Sequence, residues 1–365
     1  MGALKICVYA IAKNEGKFVE RFCESALQAD LIVIADTGST DNTVALAKKA
    51  GATVFNICVT PWRFDKARDA ALALVPGDFD VCIALDLDEV LEPGWREEIE
   101  RVWTPGTTRL KYGYDWGRGH FFLAEKIHAR KGYFWHHPCH EYPRLDPRCT
   151  QIMTETTKLL IRHLPDAEKS RGTYLELLEM SVKEDQHCSR NSFYYARELH
   201  FYGRVDDCIA ECKRYLALPD AVWNHERCYA SRLIGKCLEI KGQLKDAESW
   251  YYKAAMEAPE TREPWCALAS LFYTQGRWAD CYAAALRALQ ITHKELVYTI
   301  DPVAWGFQPF DLAAISAWNL GLKMEALRYA KEALACDPQD PRLANNVKLM
   351  ENVNPTMSGE FFWAS

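Results

Sequence analysis

Two carboxylates, Asp86 and Asp88, stand at the end of an apolar run, Val81 to Leu85. The run follows Gly77 and stops in acids, which reads as a buried strand. In open parallel sheets, ligands sit just beyond the carboxyl ends of the strands, so these acids should emerge where a ligand lies. Strand alternation predicts that Asp86 and Asp88 point the same way, with Leu87 turned into the core. Two convergent carboxylates suit a hard divalent cation, Mg²⁺ or Mn²⁺, shared with substrate phosphates. The plain alternative is a solvated acidic turn, and a short acidic motif alone does not decide between them.

The elements that must position these acids form an alternating series. Ile6 to Ala12 is a strand pattern ending in Lys13-Asn14-Glu15-Gly16, and a helix pattern follows with Phe18, Val19, Phe22 and Ala26 on one face. Leu31 to Ala35 is a second strand. It runs into Asp36-Thr37-Gly38-Ser39-Thr40-Asp41-Asn42, where Ser39 or Thr40 can cap the helix Thr43 to Ala50. Thr53 to Ile57 reads as a strand, and Trp62 to Leu74 as a helix carrying Arg63, Lys66 and Arg68. The alternation predicts a doubly wound parallel sheet. Polar residues cluster at its strand ends: Lys13, Asn14 and Glu15, then Asp36 and Ser39, then Asp86 and Asp88. Each has a simpler reading, the first as a capping turn and Asp36 as a loop acid at a helix start. Neither a GxGxxG nor a GxxxxGK[ST] motif is present, so a dinucleotide fold and a P-loop are not indicated.

Composition narrows the class. The 365 residues are enough for two or three domains, and 49% hydrophobic with 26% charged residues fits a packed protein. A net charge of -6 does not suggest a general nucleic-acid binder. The 14 cysteines are scattered, many inside apolar runs, which fits a reducing, cytoplasmic setting. The amino-terminal apolar run is too short for a signal peptide, Ile6 argues against myristoylation, and no stretch is long enough to span a membrane.

Three segments, Ile11-Ala12-Lys13-Asn14-Glu15, Ala35 to Thr43 and Ala84-Leu85-Asp86-Leu87-Asp88-Glu89, resemble in order and spacing the inverting family 2 glycosyltransferases of the GT-A fold. The resemblance implies a Rossmann-like α/β GT-A catalytic domain and a UDP-sugar donor. It assigns donor contacts to Ala10, Ile11, Lys13, Asn14, Glu15, Asp36, Ser39, Arg68, Asp86 and Leu87. Among these, Asp36 would hold the base and Asp86 the ribose or sugar, while Asp88 would ligate Mn²⁺ or Mg²⁺. Phe64 to Asp69 is similar to a family segment reading Phe-x-x-Ala-Arg-Asn. Arg68 matches it, and Asp69 departs from it.

Residues 105 to 165 change character. Arg109 to Trp116 and Arg118 to Ala124 alternate like strands. The stretch Tyr133 to Pro143 is unusually rich in His and aromatics. One reading is a zinc site drawn from His136, His137, Cys139, His140 and Cys149, although the spacing matches no standard zinc pattern. The resemblance offers another. Family members with helical repeats carry a His-Glu pair here, so Glu141 would be the base that deprotonates the acceptor, with His140 orienting it or facing the donor. Read without the resemblance, Glu141 is a surface acid after a Pro-rich turn. The strand pattern at Lys158 to His163 ends in a histidine that the resemblance assigns to the metal or diphosphate, where a structural role is the alternative.

From Asp166 the pattern is helical. Glu168 to Glu184 reads as a linking helix. Gly203, Gly242, Gly276 and Gly321 then each separate two helical runs, with Cys208, Ala247, Cys281 and Ala326 five residues later. Gly242 and Gly276 lie 34 residues apart, the tetratricopeptide period, and the flanking intervals of 39 and 45 carry insertions. Four helix pairs are expected over 190 to 345, forming an all-α tetratricopeptide-like solenoid, with an aromatic loop near Tyr298 to Phe310 that should contact something. The layout is similar to that of transferases that glycosylate bacteriocin peptides. It implies transfer of a hexose or N-acetylhexosamine to a peptide or protein side chain, with the repeats either holding the acceptor or only stabilising or dimerising the chain. The tail Asn354 to Ser365 would fold back or pack on a second copy. Two other classes stay open. One is transfer to a glycan or to modified nucleic acid along the basic segment Lys126 to Lys131. The other is an inactive repeat scaffold, against which the intact acids Asp86, Asp88 and Glu141 argue.

Overall fold

The computed structural model describes residues 3–166 and 174–352. The segment 167–173, with it the first part of the expected linking helix, and the whole tail Asn354 to Ser365 therefore lie outside the described residues. The described chain divides into two compact units. The first runs to Gln186 and includes Leu296–Tyr298; the second takes His187–Glu295 and continues from Thr299.

The first unit opens with β1 (Ile6–Ala12), α1 (Gly16–Ser25), β2 (Leu31–Asp36), α2 (Thr43–Lys49), β3 (Thr53–Asn56), α3 (Phe64–Ala73) and β4 (Val81–Ala84). The strands β3, β2, β1 and β4 pair in parallel, as the alternation predicts. Beyond β4 the expected all-parallel sheet becomes mixed. The elements β5 (Glu89–Leu91), α4 (Trp95–Val102), β6 (Arg109–Asp115), β7 (Phe121–Ala129), β8 (Tyr133–His136), β9 (Tyr142–Leu145), β10 (Met153–His163) and α5 (Tyr174–Glu184) complete the unit. The order in the eight-stranded sheet is β3-β2-β1-β4-β7-β6-β10-β5. Strand β7 runs antiparallel to both β4 and β6, because the two-strand return from β6 needs no crossover helix. The second strand of that return was expected to end at Ala124; it starts at Phe121 and continues to Ala129.

Both sheet faces are covered. Phe18, Val19, Phe22, Ala47, Trp95 and Ile99 of α1, α2 and α4 pack on one face, over Ile6, Val8, Ile34 and Ile83. On the other, Ala71 and Leu72 of α3 and Trp135 of β8 cover Cys7, Tyr9, Val33 and Ala84. Strands buried on both sides read as continuous apolar runs, which is why β1, β2 and β4 were legible.

The second unit is helical: α6 (Ser189–Phe201), α7 (Val205–Ala217), α8 (Asn224–Ile240), α9 (Leu244–Glu257), α10 (Glu263–Thr274), α11 (Trp278–Gln290), α12 (Gln308–Asn319), α13 (Lys323–Cys336) and α14 (Pro341–Asn352). These are the four expected pairs plus one further helix. The four turn glycines all have positive φ, from 66 to 81°, the conformation in which glycine ends a helix without strain. Cys208, Ala247, Cys281 and Ala326 are all fully buried where the helices cross. Between α11 and α12, the expected exposed aromatic loop is instead partly buried. The Trp305 indole N–H donates to Glu263 (3.1 Å), and Arg262 lies over the Trp305 ring. Among the described residues, no helix is long and apolar enough to cross a membrane.

Candidate active site

At the end of β4 the chain leaves strand geometry earlier than alternation requires. Residues Asp86 to Glu89 form a turn closed by the Glu89 N–H on the Asp86 carbonyl (2.9 Å). A turn does not alternate, so Asp86 and Asp88 face different partners, while Leu87 is buried as expected. Asp86 accepts from Arg68 (2.5 Å) and from Lys126 (3.2 Å). Asp88 sits against His163, with Oδ2 3.4 Å from Nε2. Its carbonyl also accepts the Leu164 N–H (2.8 Å), which ties this turn to the end of β10.

Arg68, on α3, is the hub. Its Nε donates to Glu141 and its Nη2 to Asp86, while its guanidinium lies 4.8 Å from the Trp135 ring centre. A buried guanidinium between two carboxylates is held by charge, and its planar fork fixes both acids in place. Burial works against ionised Asp86, but Arg68 and Lys126 outweigh it and hold this carboxyl well below the usual range. Nearby, burial raises Glu89, and Asp86 adds to that, while Lys126 opposes it. Tyr114 donates to Glu89 (2.5 Å).

Lys126 reaches this cluster through a β-bulge. Leu110 pairs with Ile127 and Tyr112 with Ala124, so β7 has one extra residue at Glu125–Lys126. Bulges re-aim side chains beside active sites, and this one brings Lys126 to Asp86 and Glu89. The segment Lys126 to Lys131 is accordingly no continuous basic track. Lys126 is spent on acids, His128 is fully buried, and Arg130 donates to the Val75 carbonyl.

Under Arg68, a chain of hydrogen bonds sets the Trp135 ring. Trp135 Nε1 donates to the Tyr9 hydroxyl (2.9 Å), which lies 2.8 Å from His128 Nε2. His128 Nδ1 faces the Ala129 carbonyl at 2.9 Å. A carbonyl only accepts, so the proton is on Nδ1, and Nε2 accepts from Tyr9. The Trp135 backbone N–H donates to Asp69 (2.6 Å). This gives Asp69, the residue that departs from the family segment, a structural task.

The two amino-terminal loops are braced across one another. Asn14 Oδ1 accepts from the Thr40 N–H (2.7 Å), and the Asn14 N–H donates to Ser39 Oγ (2.8 Å). The Glu15 N–H donates to Thr43 Oγ1, and the Gly16 N–H to Asp41. A Cβ on Gly16 would stand 2.2 Å from Asn42 Oδ1, so any larger residue there would push the Asn42 side chain aside. Asp36 Oδ2 accepts the Gly38 and Ser39 N–H groups (both 3.0 Å), while its Oδ1 is buried with no partner among the described residues. Lys13 is exposed, and Ala10 and Ile11 belong to β1. Asn14, His137 and His140 have positive φ (57, 81 and 50°), a conformation non-glycine residues adopt at a cost and which gathers at functional sites.

His163 lies against aromatic rings, its centroid 4.4 Å from Trp116 and 6.3 Å from Tyr114. Its Nδ1 is buried without a hydrogen-bond partner among the described residues. A carboxylate and an imidazole side by side on an aromatic wall form a mixed oxygen–nitrogen donor pair that suits Mn²⁺ better than the oxygen-preferring Mg²⁺. The His140 ring faces Tyr174 edge-on at 6.0 Å. Among the described residues, ligand atoms of His136, His137, Cys139, His140 and Cys149 do not converge in threes, so the zinc reading of this stretch fails. His136 and His137 instead pack ring against ring (4.1 Å).

With this geometry in hand, comparison with known proteins is specific. Residues 7–146 match the glycosyl transferase family 2 model. The matched span holds Arg68, Asp86, Asp88, Lys126 and Glu141 and stops short of His163. An uncharacterized glycosyltransferase of Rickettsia conorii is 34% identical over 100 residues, which is 27% of this chain and 34% of the relative. A TPR repeat-containing protein of Synechococcus elongatus is 25% identical over 297 residues, which is 78% of this chain and 64% of that protein. The chain thus spans about a third and under two thirds of these relatives' lengths. Among solved structures, YrrB, described as a TPR protein with an unusual peptide-binding site, aligns at 15% identity with a TM-score of 0.39. The alignment covers 48% of this chain and 82% of YrrB.

The sequence reading missed Lys126, Glu89 and Tyr114 as members of this cluster. Glu89 carried a signal, as the third acid after the strand. Lys126 carried none, because a bulge decides where it points.

Proposed function

We propose that this chain is a metal-dependent inverting glycosyltransferase that moves a hexose or N-acetylhexosamine from a UDP-sugar to a peptide or protein side chain. The observation that carries the reading is Arg68, which holds Asp86 and Glu141 on one guanidinium. Asp86 belongs to the donor side and Glu141 to the acceptor side, so a single group sets the distance between them. Asp36, whose buried Oδ1 has no partner among the described residues, and the braced Asn14–Ser39 loops receive the nucleoside, and Lys13 and Glu15 flank it. Glu141 takes the acceptor proton as the acceptor attacks the anomeric carbon from the face opposite the nucleotide. His140, on its strained backbone, orients the turn that presents Glu141. Asp88 and His163 would hold Mn²⁺ or Mg²⁺, and the ion would supply positive charge against the leaving diphosphate. Lys126 keeps Asp86 ionised and oriented.

The match over residues 7–146 supports glycosyl transfer. The sugar and the peptide acceptor rest on the likeness in layout to repeat-bearing family 2 transferases, and the metal on the Asp88–His163 pair. A cytoplasmic setting fits thiols placed inside apolar runs. The test is donor hydrolysis. Incubated with UDP-sugars, the chain should release UDP only when Mn²⁺ or Mg²⁺ is present, and Asp88→Asn should abolish release. UDP release that ignores both metal and Asp88 would refute the assignment.

A further inference from the structure

Away from the candidate active site, one crossing in the second unit gathers three metal-ligating side chains, with a fourth one helical turn away. His200 lies near the end of α6, Cys208 and Cys212 on α7, and Cys237 on α8. The ligand atoms of His200, Cys208 and Cys237 all lie within 4.8 Å of one another. Cys237 Sγ is 3.6 Å from His200 Nδ1. Cys208 interacts with both Cys237 and Cys212, and Cys212 stands just outside the mutually close set of three. The three sulfurs are buried, and His200 is half-buried. Tetrahedral zinc with ordinary bond lengths separates a sulfur and a nitrogen ligand by about 3.6 Å, and two sulfurs by about 3.8 Å.

Packing alone accounts for part of this. Cys208 fills the small-residue position five after the turn glycine, where Ala247, Cys281 and Ala326 stand in the other repeats. Cys281 shows the packing role in isolation, with its sulfur facing the Leu312 carbonyl at 3.9 Å and Ser316 beside it. Position by position, the other three ligands are particular to this crossing. Cys237 stands where the other repeats have Glu198, Leu271 and Ser316. His200 stands where they have Glu239, Tyr273 and Trp318. Cys212 stands where they have Tyr251, Ala285 and Ala330. Three helices thus contribute soft or imidazole donors at one point, and the repeat pattern asks for none of the last three.

We propose that His200, Cys208 and Cys237, with Cys212 one turn from Cys208 as the fourth ligand, form a structural zinc site that clamps α6, α7 and α8. Thiolates and a neutral imidazole are the donors zinc prefers, and a closed set of four leaves no open position for chemistry. On binding, each coordinating thiol gives its proton to solvent, and neither metal nor sulfur changes oxidation state. The site is independent of the transferase reading.

The test uses the full chain with Co²⁺ in place of zinc. Bound by thiolates, Co²⁺ shows sulfur-to-metal charge-transfer absorption, which the sulfur-free pair Asp88–His163 cannot produce. The wild type and a Cys281→Ala control should take up one thiolate-bound cobalt per chain, displaced by zinc. Cys237→Ala and His200→Ala should lose most of that absorption. Chelation should lower the wild-type thermal midpoint and leave that of Cys237→Ala unmoved. Wild-type protein with no charge-transfer absorption, or absorption that survives Cys237→Ala unchanged, would overturn the proposal. If the variants fail to fold, the wild-type cobalt spectrum and metal content decide alone.

Discussion

Glu141 and Asp86 share Arg68, so changing either acid has a defined consequence. Glu141→Gln keeps an oxygen facing Arg68 and removes the base. Transfer should fall by roughly 10²–10⁴-fold while donor affinity holds, measured as kcat against the donor Kd. Equal loss of donor binding would mean that Glu141 serves the donor. His163→Ala should raise the Mn²⁺ concentration needed for half-maximal UDP release, and unchanged metal dependence would remove His163 from the metal site. Another residue-scale prediction concerns His128. Burial lowers its pKa from 6.5 to about 4, against the bond to Ala129. Unfolded chain therefore binds the extra proton between these values, and folded chain does not. Stability is full above pH 6.5 and falls as the pH drops towards 4, by on the order of 3 kcal/mol from this residue. Denaturant unfolding across this range should show a smaller loss in His128→Asn, and parallel curves would contradict the assignment. Of these residues, Glu141 and His163 were visible from the sequence only through family likeness. Arg68's double pairing was not, because a partner 73 residues away leaves no local pattern.

The elements show where local rules suffice. β1 was legible to the residue because both its faces are buried and its apolar run is unbroken. The turn at Asp86–Glu89 was not, because a carboxylate ladder and a carboxylate turn have the same composition. The bulge in β7 likewise depends on pairing with β6 and not on β7's own sequence. In the second unit the glycine offsets fixed the helix pairs, since each repeat must turn at the same place. Gly235, inside α8, tests close helix contact there. A Cβ at this position would meet the Tyr251 ring at 2.5 Å. Gly235→Ala should therefore destabilise the repeats by about 1–3 kcal/mol, although alanine is the better helix former. A rise in the thermal midpoint would show that α8 and α9 can separate without loss.

The chain as a whole joins a sheet unit to a repeat unit, and the division is not a clean cut in sequence. Leu296–Tyr298 belongs to the first unit, where the Leu296 carbonyl accepts the Leu123 N–H of β7 (3.1 Å). Removing everything after residue 190 would therefore also strip a strand contact near the bulge, so loss of transfer in such a truncation would not by itself assign acceptor binding to the repeats. In the proposed reaction, the strand ends of the first unit would bind a UDP-sugar through a metal at Asp88. The most direct measurement is the thermal midpoint of the full chain against a panel of nucleotide sugars, with and without Mn²⁺, in wild type and Asp88→Asn. A ligand at 100 times its Kd adds about 2.7 kcal/mol to the folded state, a shift easily read. One UDP-sugar should raise the midpoint only with Mn²⁺ and only in wild type. No shift with any nucleotide sugar, or a shift that persists in Asp88→Asn, would contradict it.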